Sequence, residues 1–303
     1  MLDYVPLNLP SPVVWATPFF GFLVITEMLY SKFGKSKTAN YEAKDSFASL
    51  MMGVGNQIIG FATASLFFAI TVFAYKHRMF EIGTGPIVFI VCFFLEDLSF
   101  YWFHRISHES RYFWASHIIH HSSQHYNLST ALRQTWTGTL SGGFIFWLPL
   151  AFLGFHPAMI GFFSGLSLVY QFWIHTEAID KMPKWFEAIL NTPSHHRVHH
   201  AVNPDYLDAN YAGVFIIWDK IFGTYVDENE NNKPKYGVVT NIATFNPLRI
   251  AFHEWFGIFK DITTAKPNHI IGYLFGPPGW SPDGSRKTSK IIKQERIDNK
   301  TQT

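Results

Sequence analysis

Four long apolar stretches, at residues 13–30, 47–75, 86–103 and 139–174, constrain this chain more than any other feature of its sequence. A helix needs about 20 apolar residues to cross the hydrocarbon core of a bilayer, and each stretch approaches or exceeds that length. A soluble domain would have to bury all four in one core, with only 15% of its residues charged to cover them. The expected class is an all-α, polytopic integral membrane protein. The 47–75 stretch is over-long and carries Asn56 and Gln57, so it is expected to be tilted or broken. The 139–174 block is interrupted at Gly154-Phe155-His156-Pro157, which reads as the tight turn of a helical hairpin with arms of about 16 residues. The count is thus four or five membrane segments. The start, Met1-Leu2-Asp3, has no basic segment and the first apolar run shows no small-residue cleavage site, so no cleaved signal peptide is expected.

Charge sets the orientation. Lys32, Lys35, Lys37 and Lys44 crowd the first loop, against only Asp3 ahead of the first stretch, which places that loop in the cytoplasm. Threading the chain onward puts residues 104–137 and everything after His175 on the same side, although Lys76 and Arg78 weakly oppose this. The expected organisation is N-terminal membrane helices over 1–84, a catalytic domain over 85–227, and a C-terminal cytosolic region and tail over 228–303. A cytosolic helical cap would carry the chemistry. The single cysteine, Cys92, excludes a disulfide framework, a CxxC pair and a cysteine-ligated iron–sulfur cluster. A net charge of +2 without a basic run gives no reason to expect nucleic acid. No Gly-rich phosphate loop is present.

Fifteen histidines remain to be explained, most of them between His104 and His200. Three clusters share one spacing logic: His104 with His108; His117 with His120 and His121; His196 with His199 and His200. Residues three and four apart share a helix face, so each cluster projects two or three imidazoles together. At this histidine frequency an HxxHH match should occur roughly 0.04 times by chance; there are two, plus the HxxxH. Imidazole nitrogen ligates iron, zinc, copper and nickel, and eight imidazoles exceed what one ion usually takes, so two ions are the economical reading. Pro193, with Asn191 or Thr192 as the cap, marks the start of the helix that carries the third cluster. His125, His175 and His195 are candidate additional ligands or partners behind them. Asp97, Glu177, Asp208 and Asn210 are polar groups suited to orienting imidazoles. Glu96 and Asp97 are costly in lipid unless paired, and Asp97 and Glu177 are taken as the candidate catalytic groups.

Ligation by nitrogen alone, without thiolate, argues against a structural zinc site and suits iron working with O2 on an unactivated C–H bond. The first cluster follows directly on the third apolar stretch, so a lipid held among the helices would meet the metals at the bilayer edge. The rival from another class is a histidine-rich metal transporter, which should place its ligands near the midplane on discontinuous helices; here they follow segment ends.

The set HxxxH, HxxHH, HxxHH resembles the fatty acid hydroxylase/sterol desaturase superfamily of integral-membrane di-iron enzymes. The runs at 100–108, 114–123, 126–134, 173–177, 191–200 and 208–224 more narrowly resemble its alkylglycerol monooxygenase branch, which cleaves ether lipids. Within them, Asn127-Leu-Ser-Thr-Ala-Leu-Arg-Gln134 is the most discriminating part, and the likeness covers roughly residues 40 to 227. The resemblance implies that His104, His108, His117, His120, His121, His196, His199 and His200 bind two iron ions, with His175 and Glu177 close by. It implies hydroxylation of the carbon next to the ether oxygen, using O2 and tetrahydrobiopterin. In the sterol or fatty-acyl hydroxylases and desaturases of the superfamily, the electron donor would instead be an external carrier of the cytochrome b5 or ferredoxin type. The chain departs from the ether-lipid branch at Gln124-His125, where a more acidic pair is expected, and in an expected lack of further C-terminal membrane segments.

Overall fold

The computed structural model describes residues 5–34 and 39–301. Met1 to Asp3 and the loop lysines Lys35 and Lys37 lie outside the described residues. Among the described residues the chain is all-helical, with no strand beyond one isolated bridge between Ala201 and Tyr236.

Three helices are long and apolar enough to cross a membrane. They are α1 (Pro12–Phe33), α2 (Ala43–Lys76) and α3 (Pro86–Glu109). Pro12 and Pro86 occupy the first turns of α1 and α3, where a missing N–H costs nothing. Glu42 caps α2 by accepting from the Asp45 N–H at 2.6 Å. The expectation that the second stretch is tilted or broken resolves for continuity: α2 runs unbroken for 34 residues, about 51 Å. Asn56 does not interrupt it, because its amide donates sideways to the Thr135 carbonyl at 2.6 Å. Gly55 permits the close packing there, since a Cβ at that position would lie 2.2 Å from the Trp136 indole nitrogen.

After α4 (Arg111–His121) the chain crosses α2 through residues 122–142 and enters the hairpin. The turn falls at Gly154 as expected, with φ +111°, a conformation that favours glycine. The arms are unequal. The first is a 3-10 turn, Gly143–Trp147, running into the short α5 (Leu148–Leu153), whereas α6 (Pro157–Trp173) has 17 residues. The equal arms expected from hydropathy alone fail because residues 135–142 are spent on the turn that packs over α2. Glu96, buried in α3, is held through Oε1, which accepts from the Trp147 indole N–H at 2.9 Å and the Ser164 hydroxyl at 2.7 Å, tying both arms to α3, while Oε2 is buried without a hydrogen-bond partner.

Beyond α6 come three short helices, α7 (Lys184–Glu187), α8 (Pro193–His199) and α9 (Ile217–Phe222). The C-terminal part holds α10 (Pro247–Thr264), α11 (Ile270–Phe275) and α12 (Ser289–Thr301). Ala48 and Met52 of α2, Ile118 and Ile119 of α4, and Ile250 and Ala251 of α10 form one buried cluster, which locks α10 against the first turns of α2.

Candidate metal centre

Nine imidazoles converge into two groups. His104, His108, His117, His121 and His199 form the first, and His120, His175, His196 and His200 the second; within each group the donor atoms lie within 4.8 Å of one another. Helical periodicity sorts them. On α4, His117 and His121 are four apart and share the first group, while His120, rotated off that face, enters the second. On α8 and its C-terminal cap the pattern is reversed: His196 and His200 enter the second group and His199 the first. Each HxxHH box therefore serves both groups. His104 and His108 arrive one turn apart on α3, and His175 follows the end of α6.

Backbone carbonyls fix the rings from behind. Nδ1–H donates from His104 to Tyr211 O at 2.7 Å, from His199 to Ala209 O at 2.9 Å, from His175 to Gln171 O at 2.7 Å and from His120 to Arg133 O at 3.3 Å. A carbonyl only accepts, so in these rings Nδ1 carries the proton and Nε2 carries a lone pair. The Nε2 atoms point inward at each other. His120 and His175 stand 3.1 Å apart at Nε2 and His175 and His196 3.0 Å; in the first group His104 to His117 and His117 to His121 are each 3.0 Å.

This arrangement tests whether a metal fits. His120 and His175 meet as two acceptors, and no hydrogen lies between them to share; a cation reconciles them. Metal–imidazole bonds of about 2.1 Å put neighbouring ligand nitrogens about 3 Å apart at right angles. His108 Nε2 is buried without a hydrogen-bond partner, as a ligand atom would be. Burial also holds His117, His121, His175, His196, His199 and His200 well below the usual imidazole pKa, and His120 at about 4. They are neutral at pH 7 and ready to donate lone pairs. The donor set suits two transition-metal ions.

Of the other residues singled out in the sequence, His175 joins the rings and the rest stand apart. His195 turns away, its Nε2 3.4 Å from the Tyr225 hydroxyl, and His125 is in neither group. Asp97 is buried in α3 and belongs to neither group of rings. Its carboxylate is taken up by the Val214 and Phe215 N–H groups at 2.7 and 3.0 Å and the Trp218 indole at 2.9 Å. It is a positioning residue for the segment that brings Tyr211 O to His104. Glu177 accepts from the Tyr236 hydroxyl at 3.0 Å; Tyr236 stacks on Tyr126, which in turn stands against His175, His196 and His200. Asp208 lies 3.7 Å from His108 Nδ1, beyond hydrogen-bond range. Asp208 and Asn210 have positive φ, 48° and 55°, tolerated by these side chains, and this twist aims the Ala209 and Tyr211 carbonyls at two different rings.

Sequence reasoning missed several supports. Glu27, inside α1 and buried, accepts from Tyr41 Oη, the Leu128 N–H and the Thr176 hydroxyl, pinning the residue next to His175. Arg133, 1% exposed, pairs with Asp45 at 2.9 Å and so fixes the carbonyl behind His120. Asp219 accepts from the Tyr211 and Ala212 N–H groups, both at 2.8 Å. A carboxylate inside an apolar run was the available signal for Glu27. A cavity of about 60 Å³ adjoins the first group, bordered by His108, His121, His199 and Asp208, and is large enough for water-sized molecules.

The family model described as fatty acid hydroxylase matches residues 89–224, a span that contains all nine rings. Alkylglycerol monooxygenase of Homo sapiens is 41% identical over 288 residues, covering 92% of this chain and 62% of that protein. The Xenopus tropicalis protein of the same name is 37% identical, with the same shares covered. Ornithine lipid hydroxylase OlsE of Rhizobium tropici is 23% identical over 197 residues, 64% of this chain and 59% of that protein. The chain thus spans 62% of the length of these animal relatives. No solved structure matches it. Residues 89–224, which gather the imidazoles, are accordingly the part of the chain that is similar to the fatty acid hydroxylase family.

Proposed function

We propose that this chain is a membrane-bound, O2-dependent monooxygenase that inserts one oxygen atom into a lipid C–H bond, with two iron ions held by the nine imidazoles. The observation that carries it is the pair of inward-facing imidazole groups, four of whose rings are braced by backbone carbonyls. The ions would supply O2 activation and the power to break an unactivated C–H bond. The chain's own part is to hold nine imidazole nitrogens at fixed spacing, to brace four of the rings from behind, and to seat the centre at the end of α3, where a membrane lipid can present its head.

The name of the animal relatives favours an ether lipid. Hydroxylation beside the ether oxygen, with two electrons and two protons taking the second oxygen atom to water, leaves a hemiacetal that collapses to a fatty aldehyde and an alcohol. Tetrahydrobiopterin would supply the electrons in that reaction; a cytochrome b5- or ferredoxin-type donor would serve a sterol or acyl hydroxylation. The lysine-rich first loop supports a cytoplasm-facing site, with 1–84 as anchor, 85–227 as catalytic domain, 228–303 as a cytosolic region, and the α5–α6 hairpin entering the bilayer from the cytoplasmic side. The test is anaerobic incubation of purified protein with an alkylglycerol, adding back O2 with pterin or with a protein donor. Two irons per chain and O2-dependent aldehyde are expected. Metal flux across vesicles with no lipid oxidation would overturn the reading in favour of transport.

A further inference from the structure

Helix α10 has three faces. Ile250, Ala251 and Ile258 are buried against the protein, 0%, 1% and 4% exposed. Leu248, Phe252, Phe256 and Phe259, at i, i+4, i+8 and i+11, form a second stripe, in which Leu248, Phe256 and Phe259 are 62%, 70% and 64% exposed. Arg249, His253 and Lys260 form a third. A helix between protein and water needs only two faces; the exposed apolar stripe asks for a third medium.

We propose that α10 lies in the membrane–water boundary, with its phenylalanine stripe against lipid and Arg249 and Lys260 toward anionic headgroups. Two further features select lipid. The stripe is continuous with a membrane surface: α10 packs on Ala48 and Met52 of α2, and the same turns of α2 expose Phe47, Leu50 and Val54 outward. The packed α11 adds exposed Ile271 and Phe275. The charge also matches. Both acidic groups that α10 turns toward the protein are taken, Glu254 by Arg111 and Asp261 by Arg111 and Arg286, whereas neither Arg249 nor Lys260 pairs with a carboxylate among the described residues. The free charge of the helix is positive, as an anionic leaflet requires. So seated, α10 fixes the depth of α4, its other neighbour, and with it the height of three histidines above the acyl chains. This placement is independent of which metal or lipid the centre takes.

The test is nitroxide labelling of Phe256→Cys, Phe259→Cys, Arg249→Cys and Lys260→Cys in full-length protein in nanodiscs containing anionic phospholipid; Cys92 is buried and does not compete for label. Power saturation should show labels at 256 and 259 colliding more with oxygen than with a water-soluble nickel chelate, and labels at 249 and 260 the reverse. Nickel access at 256 and 259 equal to that at 260 would overturn the proposal in favour of a solvated face. Shielding from both reagents with dipolar broadening would overturn it in favour of a second copy of the chain. Leu248→Cys gives the same reading should a label at Phe256 prevent folding.

Discussion

At the scale of single residues, the assignment of ligands separates histidines that look alike in the sequence. His195 and His196 are neighbours, yet only His196 turns into a group. His120→Ala is expected to lower bound iron and abolish lipid oxidation, whereas His195→Ala should keep two irons per chain; metal analysis of both variants decides it, and equal loss from the two would refute the assignment. Glu27 provides a second test. Glu27→Leu leaves the Leu128 N–H and the Tyr41 and Thr176 hydroxyls without their acceptor, and each buried donor so stranded costs about 1–3 kcal/mol. The thermal midpoint in detergent should fall by several degrees, and an unchanged midpoint would show that the contact carries no weight.

At the scale of elements, the contact between α2 and the 130–137 segment rests on an absent side chain. Trp136 cannot swing aside, because its indole N–H donates to Met52 O at 3.0 Å. Gly55→Ala should therefore destabilise the fold by about 1–3 kcal/mol through overpacking, measured as a lower thermal midpoint, while Gly60→Ala, with open space around its Cβ position, should not. The same contact shows what the sequence could and could not say. Apolar runs and prolines placed α1, α2, α3 and the hairpin turn, because hydropathy and missing N–H groups are local properties. The i, i+4 spacing announced that imidazoles would share faces. It did not reveal that each HxxHH box divides between two groups, since that depends on the angle at which α4 and α8 meet. Nor did it reveal that Asp97 serves a backbone segment more than 110 residues away in sequence, because long-range partners leave no periodic trace. Asn56 looked like a flaw in a membrane helix and is instead its lateral anchor.

At the scale of the whole molecule, burial makes stability depend on pH. Burial makes His117, His121, His175, His196, His199 and His200 bind a proton less readily folded than unfolded, and lowers His120 to about 4 against an ordinary value near 6.5. Below pH 6.5 the unfolded chain takes up protons that the folded chain refuses, so stability falls as the pH drops from 6.5 toward 4. Metal-free protein in detergent should melt at a lower temperature at pH 5 than at pH 7.5, and a higher midpoint at pH 5 would contradict it. The rings themselves come from α3, α4, α8 and the end of α6, elements up to 96 residues apart between His104 and His200. No pocket of nitrogens exists until bilayer-embedded and aqueous parts have both docked. A metal that needs all nine nitrogens is then expected to bind only after these elements have docked, so that its capture would report a completed fold.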